Sequence, residues 1–275
     1  VMTHGHLDHS GAVPIFHIQE TKPVFGTRVT FEFAQLLISD FIHLSGYYLP
    51  FEYLELRAMM RSTVQMNYRE KRMIGDIQLE LLDAGHLPGS AQALVEADGK
   101  RLVYTSDYNS ISTRLLKSAD RDYGPIDAFV IESTYANEEH PERAALEREF
   151  VEKVIDVVES GGTVLVPAFS VGRSQEIACV LAAYHFDYSV TVDGMTREAN
   201  RILMNYTNYL REPRLFMDAI HSLNAVEGWR DRRVATGKPG VIISPAGMLK
   251  GGPAAFYVQK LGKKHRNAVF LVSYQ

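Results

Sequence analysis

Three imidazoles and a carboxylate crowd the stretch Thr3-His4-Gly5-His6-Leu7-Asp8-His9. Neutral imidazole and carboxylate are the donors that Zn²⁺ takes where no thiolate is at hand. A short ligand-dense loop after a strand can aim its side chains at two ions. His4 and His6 would serve one, Asp8 and His9 the other. The competing reading is a solvated polar loop, but four such ligands at this spacing seldom arise without a metal. Two later positions offer further donors. His86 stands in Ala84-Gly85-His86-Leu87-Pro88-Gly89-Ser90, a turn after a strand. Asp107 ends a strand in Tyr104-Thr105-Ser106-Asp107-Tyr108. Singly, such a histidine is structural and such an aspartate is a turn or cap residue. His17, His43, His140, His185 and His221 have no matching partners in the sequence and are assigned to core or surface.

Two loops suit an anion. Ser170-Val171-Gly172-Arg173-Ser174 and the glycine-rich run from Ser244 to Gly252 each follow a strand and precede a helix. Backbone N–H groups there, with the positive end of a helix dipole, favour phosphate. Arg173 adds a bidentate donor. Ser170, Gly172, Arg173, Ser244, Gly247, Met248, Gly251 and Gly252 are the candidate substrate contacts, and Lys250 adds charge. Taken singly, each loop is an ordinary tight turn. Arg230, Arg232, Arg233 and the Lys263-Lys264-His265-Arg266 run read as solvated faces. Tyr47, Tyr48, Phe51 and Tyr53 read as core.

The elements that must position these residues follow from periodicity. Residues 29–72 read mostly as helix, broken near Ser45-Gly46 and Pro50, with Leu54, Ala58 and Met59 on one face and Arg57 and Arg61 outward. Strands are expected over 77–82, 91–97, 101–105 and 126–132, with Asp98-Gly99 as a hairpin turn. Pro141 reads as the first residue of a helix whose buried positions are Leu146, Phe150, Val154 and Val158, stopped by Gly161-Gly162. Strands at 163–167, 188–192, 240–244 and 268–274 then alternate with helices, which argues for a parallel sheet with βα loops at its carboxyl edge. The boundary is drawn near residue 136, giving regions 1–136 and 137–275. No internal repeat or low-complexity segment interrupts them.

Composition sets limits. The chain has 275 residues, 46% hydrophobic and 23% charged, values that exclude disordered and fibrous classes. No apolar run approaches a membrane span; Ile177 to Tyr184 is among the longest. A lone cysteine, Cys179, excludes an internal disulfide and fits a reducing, cytoplasmic compartment. At a net charge of −4, a nucleic-acid partner would be held by local basic patches or a metal rather than by the overall field. Both ends read as strand termini without a secretory signal. A ligand-dense motif this near residue 1 suggests a truncated piece of a longer protein.

Together, His4-x-His6-x-Asp8-His9, Gly85-His86-Leu87-Pro88-Gly89-Ser90 and Ser106-Asp107-Tyr108 resemble the metallo-β-lactamase superfamily. Ile131-Glu132-Ser133-Thr134-Tyr135 resembles the acidic motif that opens the β-CASP insertion of its nucleic-acid nucleases. Pro167 to Glu176 and Ser244 to Gly252 are similar to β-CASP ribonucleases, in particular archaeal relatives of the nuclease subunit that cleaves eukaryotic pre-mRNA 3′ ends. Ribonuclease J is a cousin.

The resemblance implies an α/β fold: an incomplete metallo-β-lactamase αββα core over 1–136 and a β-CASP parallel-sheet domain over 137–275. It implies two zinc ions. His4, His6 and His86 would bind one, Asp8 and His9 the second, and Asp107 would bridge them. Glu132 would not touch metal but would orient a histidine that protonates the leaving group. That histidine and the last zinc ligand belong to later motifs that do not occur before Gln275. The early-strand aspartate that supports the zinc loop in the family is likewise absent upstream. Ser106 stands where relatives often have glycine. This segment alone should therefore bind the second zinc weakly and be slow or inactive.

The activity implied is two-metal hydrolysis of RNA phosphodiester bonds, endonucleolytic or 5′–3′ exonucleolytic, leaving 5′-phosphate and 3′-hydroxyl ends. Asp8 and Glu132 are its expected catalytic carboxylates. The expected partner is single-stranded RNA, without a membrane, in a possible homodimer or RNA-processing complex. A DNA-processing nuclease or a small-molecule hydrolase of the same superfamily is the alternative, and a non-catalytic scaffold is a third. The long α/β second half argues against a small substrate, and the intact ligand set argues against a scaffold.

Overall fold

The computed structural model describes residues 1–45, 48–245, 249 and 252–272. The fold is mixed α/β, as expected, and the chain divides into two compact units, Val1–Thr134 and Tyr135–Gln275. Gly247, Met248, Gly251, Lys250 and Tyr47 lie outside the described residues. Among those described, no helix is long and apolar enough to cross a membrane.

The first unit is built on a five-stranded sheet: β3 (Lys71–Ile74), β4 (Ile77–Asp83), β5 (Ala91–Ala97), β6 (Lys100–Tyr104) and β7 (Ala128–Val130), in that order. Its pairs are antiparallel except β6 with β7. The β5–β6 hairpin closes through Asp98 and Gly99, both at positive φ, which matches the twist of the strands it joins. A parallel pair, β1 (Val24–Gly26) with β2 (Thr63–Gln65), accompanies α2 (Arg28–Ser45) and α3 (Tyr53–Arg61). Met2, Phe31, Ile38, Phe51, Leu56 and Met59 fill one core; Leu79, Leu81, Ala91 and Ala93 fill another on the sheet.

The helix expected over 29–72 ends at Arg61. Beyond it, β-branched Thr63 and Val64 pair with Val24 and Phe25, and their branched side chains suit a pleated surface better than a helix. The buried face of α3 is Leu56 and Met59; Leu54 is 66% exposed. Tyr48 and Tyr53 are exposed rather than core, whereas Phe51 is buried. The strand expected over 126–132 pairs only across Ala128–Val130, at the sheet edge.

The second unit holds an all-parallel sheet in the order β10 (Asn224–Ala225), β9 (Val190–Val192), β11 (Gly240–Ser244), β8 (Thr163–Pro167), β12 (Ala268–Val269). Helix α4 (Arg143–Glu159) precedes β8, and between the strands run α5 (Arg173–Ala183), α6 (Thr196–Met204), α7 (Pro213–Ser222), α8 (Trp229–Ala235) and α9 (Gly252–Leu261). The strands are near-continuous apolar runs because both faces of a parallel sheet are covered.

Three expectations need correction here. Pro141 lies before the helix: Glu142 caps α4, its carboxylate accepting from the amides of Ala144 (2.9 Å) and Ala145 (2.6 Å). The buried face of α4 is Glu147, Val151, Val154 and Val158, while Leu146 is exposed. Glu147 is drawn inward by Arg143, which donates to it at 2.8 Å and also to the buried Glu176. Arg232 is not a solvated charge. It grips Asp193, which is 1% exposed, through two hydrogen bonds of 2.6 and 3.0 Å, and Tyr257 donates to the same carboxylate at 2.7 Å.

Candidate metal centre

The opening segment is pinned from both sides before the first ligand arrives. The Met2 amide donates to the Phe25 carbonyl (2.8 Å), and the Ala91 amide donates to the Thr3 carbonyl (2.7 Å). His4 is thereby buried. At Gly5, a Cβ would meet the Phe33 Cβ at 2.8 Å, so only glycine lets the loop pass this close to α2. His6 then caps the short helix α1 (Leu7–Ser10), placing Asp8 in its first turn and His9 in its last. Ser10 ties the loop back by donating to the Gly5 carbonyl at 2.9 Å.

His86 is presented by the β4–β5 connection. The Ser90 hydroxyl accepts from the amides of His86 (3.2 Å) and Leu87 (3.0 Å). Gly89 has φ +81°, and its carbonyl accepts from the hydroxyls of Thr27 (2.8 Å) and Thr30 (2.9 Å). A side chain at Gly89 would run into the Val29 Cγ1 at 2.1 Å. The motif His-Leu-Pro-Gly-Ser is thus a rigid turn latched onto α2, and the histidine is its outward member. Asp107 follows β6 after a turn in which Ser106 has φ +55°.

These segments converge. One ligand atom from each of His4, His6, His86 and Asp107 lies within 4.8 Å of all the others, and His4, Asp8 and His9 form a second such group. Asp107 stands between them: Oδ2 is 3.3 Å from His86 Nε2 and 3.7 Å from His4 Nε2, while Oδ1 is 3.3 Å from His9 Nε2. Asp8 Oδ2 is 3.5 Å from the same His9 nitrogen. His4, expected to face one ion only, also reaches the Asp8–His9 group.

The electrostatics suit ligation. Burial, then the neighbouring imidazoles of His86, His6 and His9, hold the His4 pKa far below its ordinary value, so its ring is neutral. Hydrogen bonding to Asp107 and then Asp8 raises His9 to about 9. Asp8 and Asp107 are pushed down, each chiefly by its hydrogen bond with His9, and both are carboxylates at neutral pH. Neither ring nitrogen of His4, 1% exposed, has a hydrogen-bond partner among the described residues. Orphaning a buried imidazole is costly unless something else takes its lone pair. Three nitrogens and one carboxylate oxygen in this proximity are a donor set that zinc accepts.

Glu132 belongs to neither ligand group; its Oε2 accepts from the Thr134 amide at 2.7 Å. At the amino end of α5, Arg173 is exposed, but the Gly172 amide is already given to Gln175 Oε1 (2.7 Å) and the Ser174 amide to the Phe169 carbonyl (3.2 Å). Ser170 is half-buried and its carbonyl accepts from Gln175. Ser244 is fully buried at the end of β11, and Gly252 opens α9 with φ +60°. Sequence reading gave no role to Thr3 or Ser90. Both are short hydroxyl residues next to ligand motifs, and each binds a backbone or side chain that sets a ligand loop.

Comparison with known proteins identifies relatives over the whole chain. Residues 174–275 match the Beta-Casp domain family. Over its whole length the chain is 44% identical to RNase aCSPSF2 of Saccharolobus solfataricus, covering 56% of that protein. It is 35% identical to Probable RNase MJ4 of Methanocaldococcus jannaschii, covering 67% of it. It is also 34% identical to Transcription termination factor FttA of Methanothermobacter thermautotrophicus, over 47% of that protein. The chain therefore spans between about half and two thirds of the length of these relatives, and it belongs to the β-CASP family of the metallo-β-lactamase superfamily.

Proposed function

We propose that the protein to which this chain belongs is a zinc-dependent ribonuclease that hydrolyses single-stranded RNA, with His4, His6, His86, Asp8, His9 and Asp107 holding two zinc ions. One observation carries the reading: the two oxygens of Asp107 face different imidazole groups, one toward His86 and His4, the other toward His9. A single carboxylate so divided is placed to serve two ions at once. The relatives named as RNases support RNA as substrate over DNA or a small molecule.

In this reading residues 1–136 form the metallo-β-lactamase core and residues 137–275 the β-CASP domain. Bound zinc supplies Lewis acidity toward a phosphodiester and a water acidic enough to act near neutral pH. The protein's own contribution is positional. Buried His4 stays neutral and keeps a lone pair free, and the latched turn at Ser90 fixes His86. Asp8 remains ionised beside His9. Glu132 orients the group that protonates the departing 3′-oxygen, leaving 3′-hydroxyl and 5′-phosphate ends. Arg173, exposed at the amino end of α5, takes a backbone phosphate, and Ser170, Gly172, Ser244, Gly247, Met248, Gly251 and Gly252 are its further candidate substrate contacts. The place of action is the cytoplasm, alone as a homodimer or within an RNA-processing complex.

The test is cleavage of end-labelled single-stranded RNA and DNA of one sequence, with and without zinc. RNA should be cut in preference and only with metal. Asp8→Ala should lower the rate by about 10²-fold or more, the scale for losing one preorganised group. Arg173→Ala should weaken RNA binding and flatten its salt dependence by about one charge. Equal cleavage of DNA, or activity that survives chelation, would refute the assignment.

A further inference from the structure

Ser106 occupies a conformation that its residue type resists. Its φ of +55° is in the left-handed region, where a side chain other than that of glycine, asparagine or aspartate is uncommon. Glycine would take this turn without strain. The hydroxyl, in exchange, sits in a defined place. Ser106 is 5% exposed, and its Oγ lies 2.8 Å from Thr3 Oγ1 and 3.4 Å from His9 Nδ1. Thr3 is itself buried, and Thr105 secures the turn by donating to the Ser106 carbonyl at 2.8 Å.

The other face of the His9 ring is the one that matters for ligation. Its Nε2 points to Asp107 and Asp8, at 3.3 and 3.5 Å. A metal at that nitrogen needs its lone pair, so the ring proton must reside on Nδ1. Only Ser106 among the described residues is within hydrogen-bond distance of Nδ1. With the Ser106 hydroxyl donating to Thr3 Oγ1, its oxygen is free to accept from Nδ1–H.

We propose that Ser106 is the positioning residue of His9: its hydroxyl, anchored on Thr3, holds the ring at Nδ1 and so aims Nε2 at the second metal. The strained turn is retained because a residue without a hydroxyl would leave the ring unheld. Losing such a partner of a metal-ligating histidine lowers metal affinity about 10–100-fold. The inference rests on His9 being a zinc ligand.

Two substitutions separate strain from hydroxyl. Ser106→Ala keeps the strained backbone and removes Oγ; Ser106→Gly removes both. Zinc alone is the probe, competed against a chromogenic chelator, in the full chain. Both variants should weaken the more loosely held zinc about 10–100-fold. Metal-free Ser106→Gly should nevertheless unfold at no lower temperature than wild type, a combination that a merely structural serine would not give. Wild-type zinc affinity in both variants, or a loss confined to one of them, overturns the role of Ser106. Wild-type protein that holds no zinc overturns the metal reading itself.

Discussion

The ring of His86 stands with its Nε2 3.3 Å from Asp107 Oδ2, although the two residues are carried by different connections of one sheet. His86 leaves the turn between β4 and β5, and Asp107 follows β6, which pairs with β5. Antiparallel neighbours bring the start of one connection and the end of the next to the same edge. A ligand on each then meets the histidine-rich opening segment there without any long loop having to be ordered.

The latch beneath His86 should be intolerant of any side chain. Gly89→Ala adds a Cβ 2.1 Å from Val29 Cγ1 at a residue with φ +81°. Denaturant unfolding should show a loss well above the ~1 kcal/mol of an unfavourable φ alone, with weaker zinc binding. Gly228→Ala, in open space, should change stability by less than about 0.5 kcal/mol.

Zinc affinity should rise with pH. His9 is raised to about 9 by Asp107 and Asp8, so below that pH the metal must displace a proton. Apparent affinity at this group should increase up to about tenfold per pH unit toward pH 9. Without metal the sign reverses for the fold: the stability gained by protonated His9 is complete below its unfolded value and is lost as pH rises through about 9. Isothermal titration across this range checks the first, and chemical denaturation with a chelator present checks the second.

Asp83, just before the His86 turn, is raised to about 6 chiefly by burial, opposed by the hydrogen bond from the Gly85 amide. The folded chain holds this proton where the unfolded chain has lost it. Its contribution is therefore present below about pH 4 and lost as pH climbs through about 6. In metal-free protein, Asp83→Asn should flatten the fall in stability across that window, as read by denaturation midpoints.

Arg232 and Arg233 are sequence neighbours with opposite prospects. Arg232→Ala leaves the carboxylate of Asp193 buried without its cation, which should cost about 3–5 kcal/mol. Arg233→Ala, at an exposed position, should change the unfolding free energy by less than about 0.5 kcal/mol. Equal effects would show that the ion pair is not what anchors α8.

Much of this arrangement was legible in residue types. Three imidazoles and a carboxylate within His4 to His9 announce donor chemistry because few other reasons place such groups together, and Asp98-Gly99 announces its hairpin through positive φ. Resemblance supplied the roles of His86 and Asp107, since spacing within the opening loop cannot say which distant donors share its ions. Helix faces were less legible. Leu146 and Leu54 fit an apolar stripe by periodicity, yet Glu147 and Leu56 are the residues turned inward, because the burial of α4 is decided by Arg143 and Glu176 and that of α3 by the packing of Phe51 and Met59.

Sequence by itself determined the donor set, the turns that carry it and the alternation of strands and helices, all of which depend on local chemistry within a few residues. Tertiary structure alone decided that Asp107 divides its oxygens between two imidazole groups, that the Ser106 hydroxyl meets His9, and that Arg232 is an anchor rather than a surface charge. Those are contacts between residues far apart in the chain, and their geometry is set by strand pairing and burial, which no local pattern encodes.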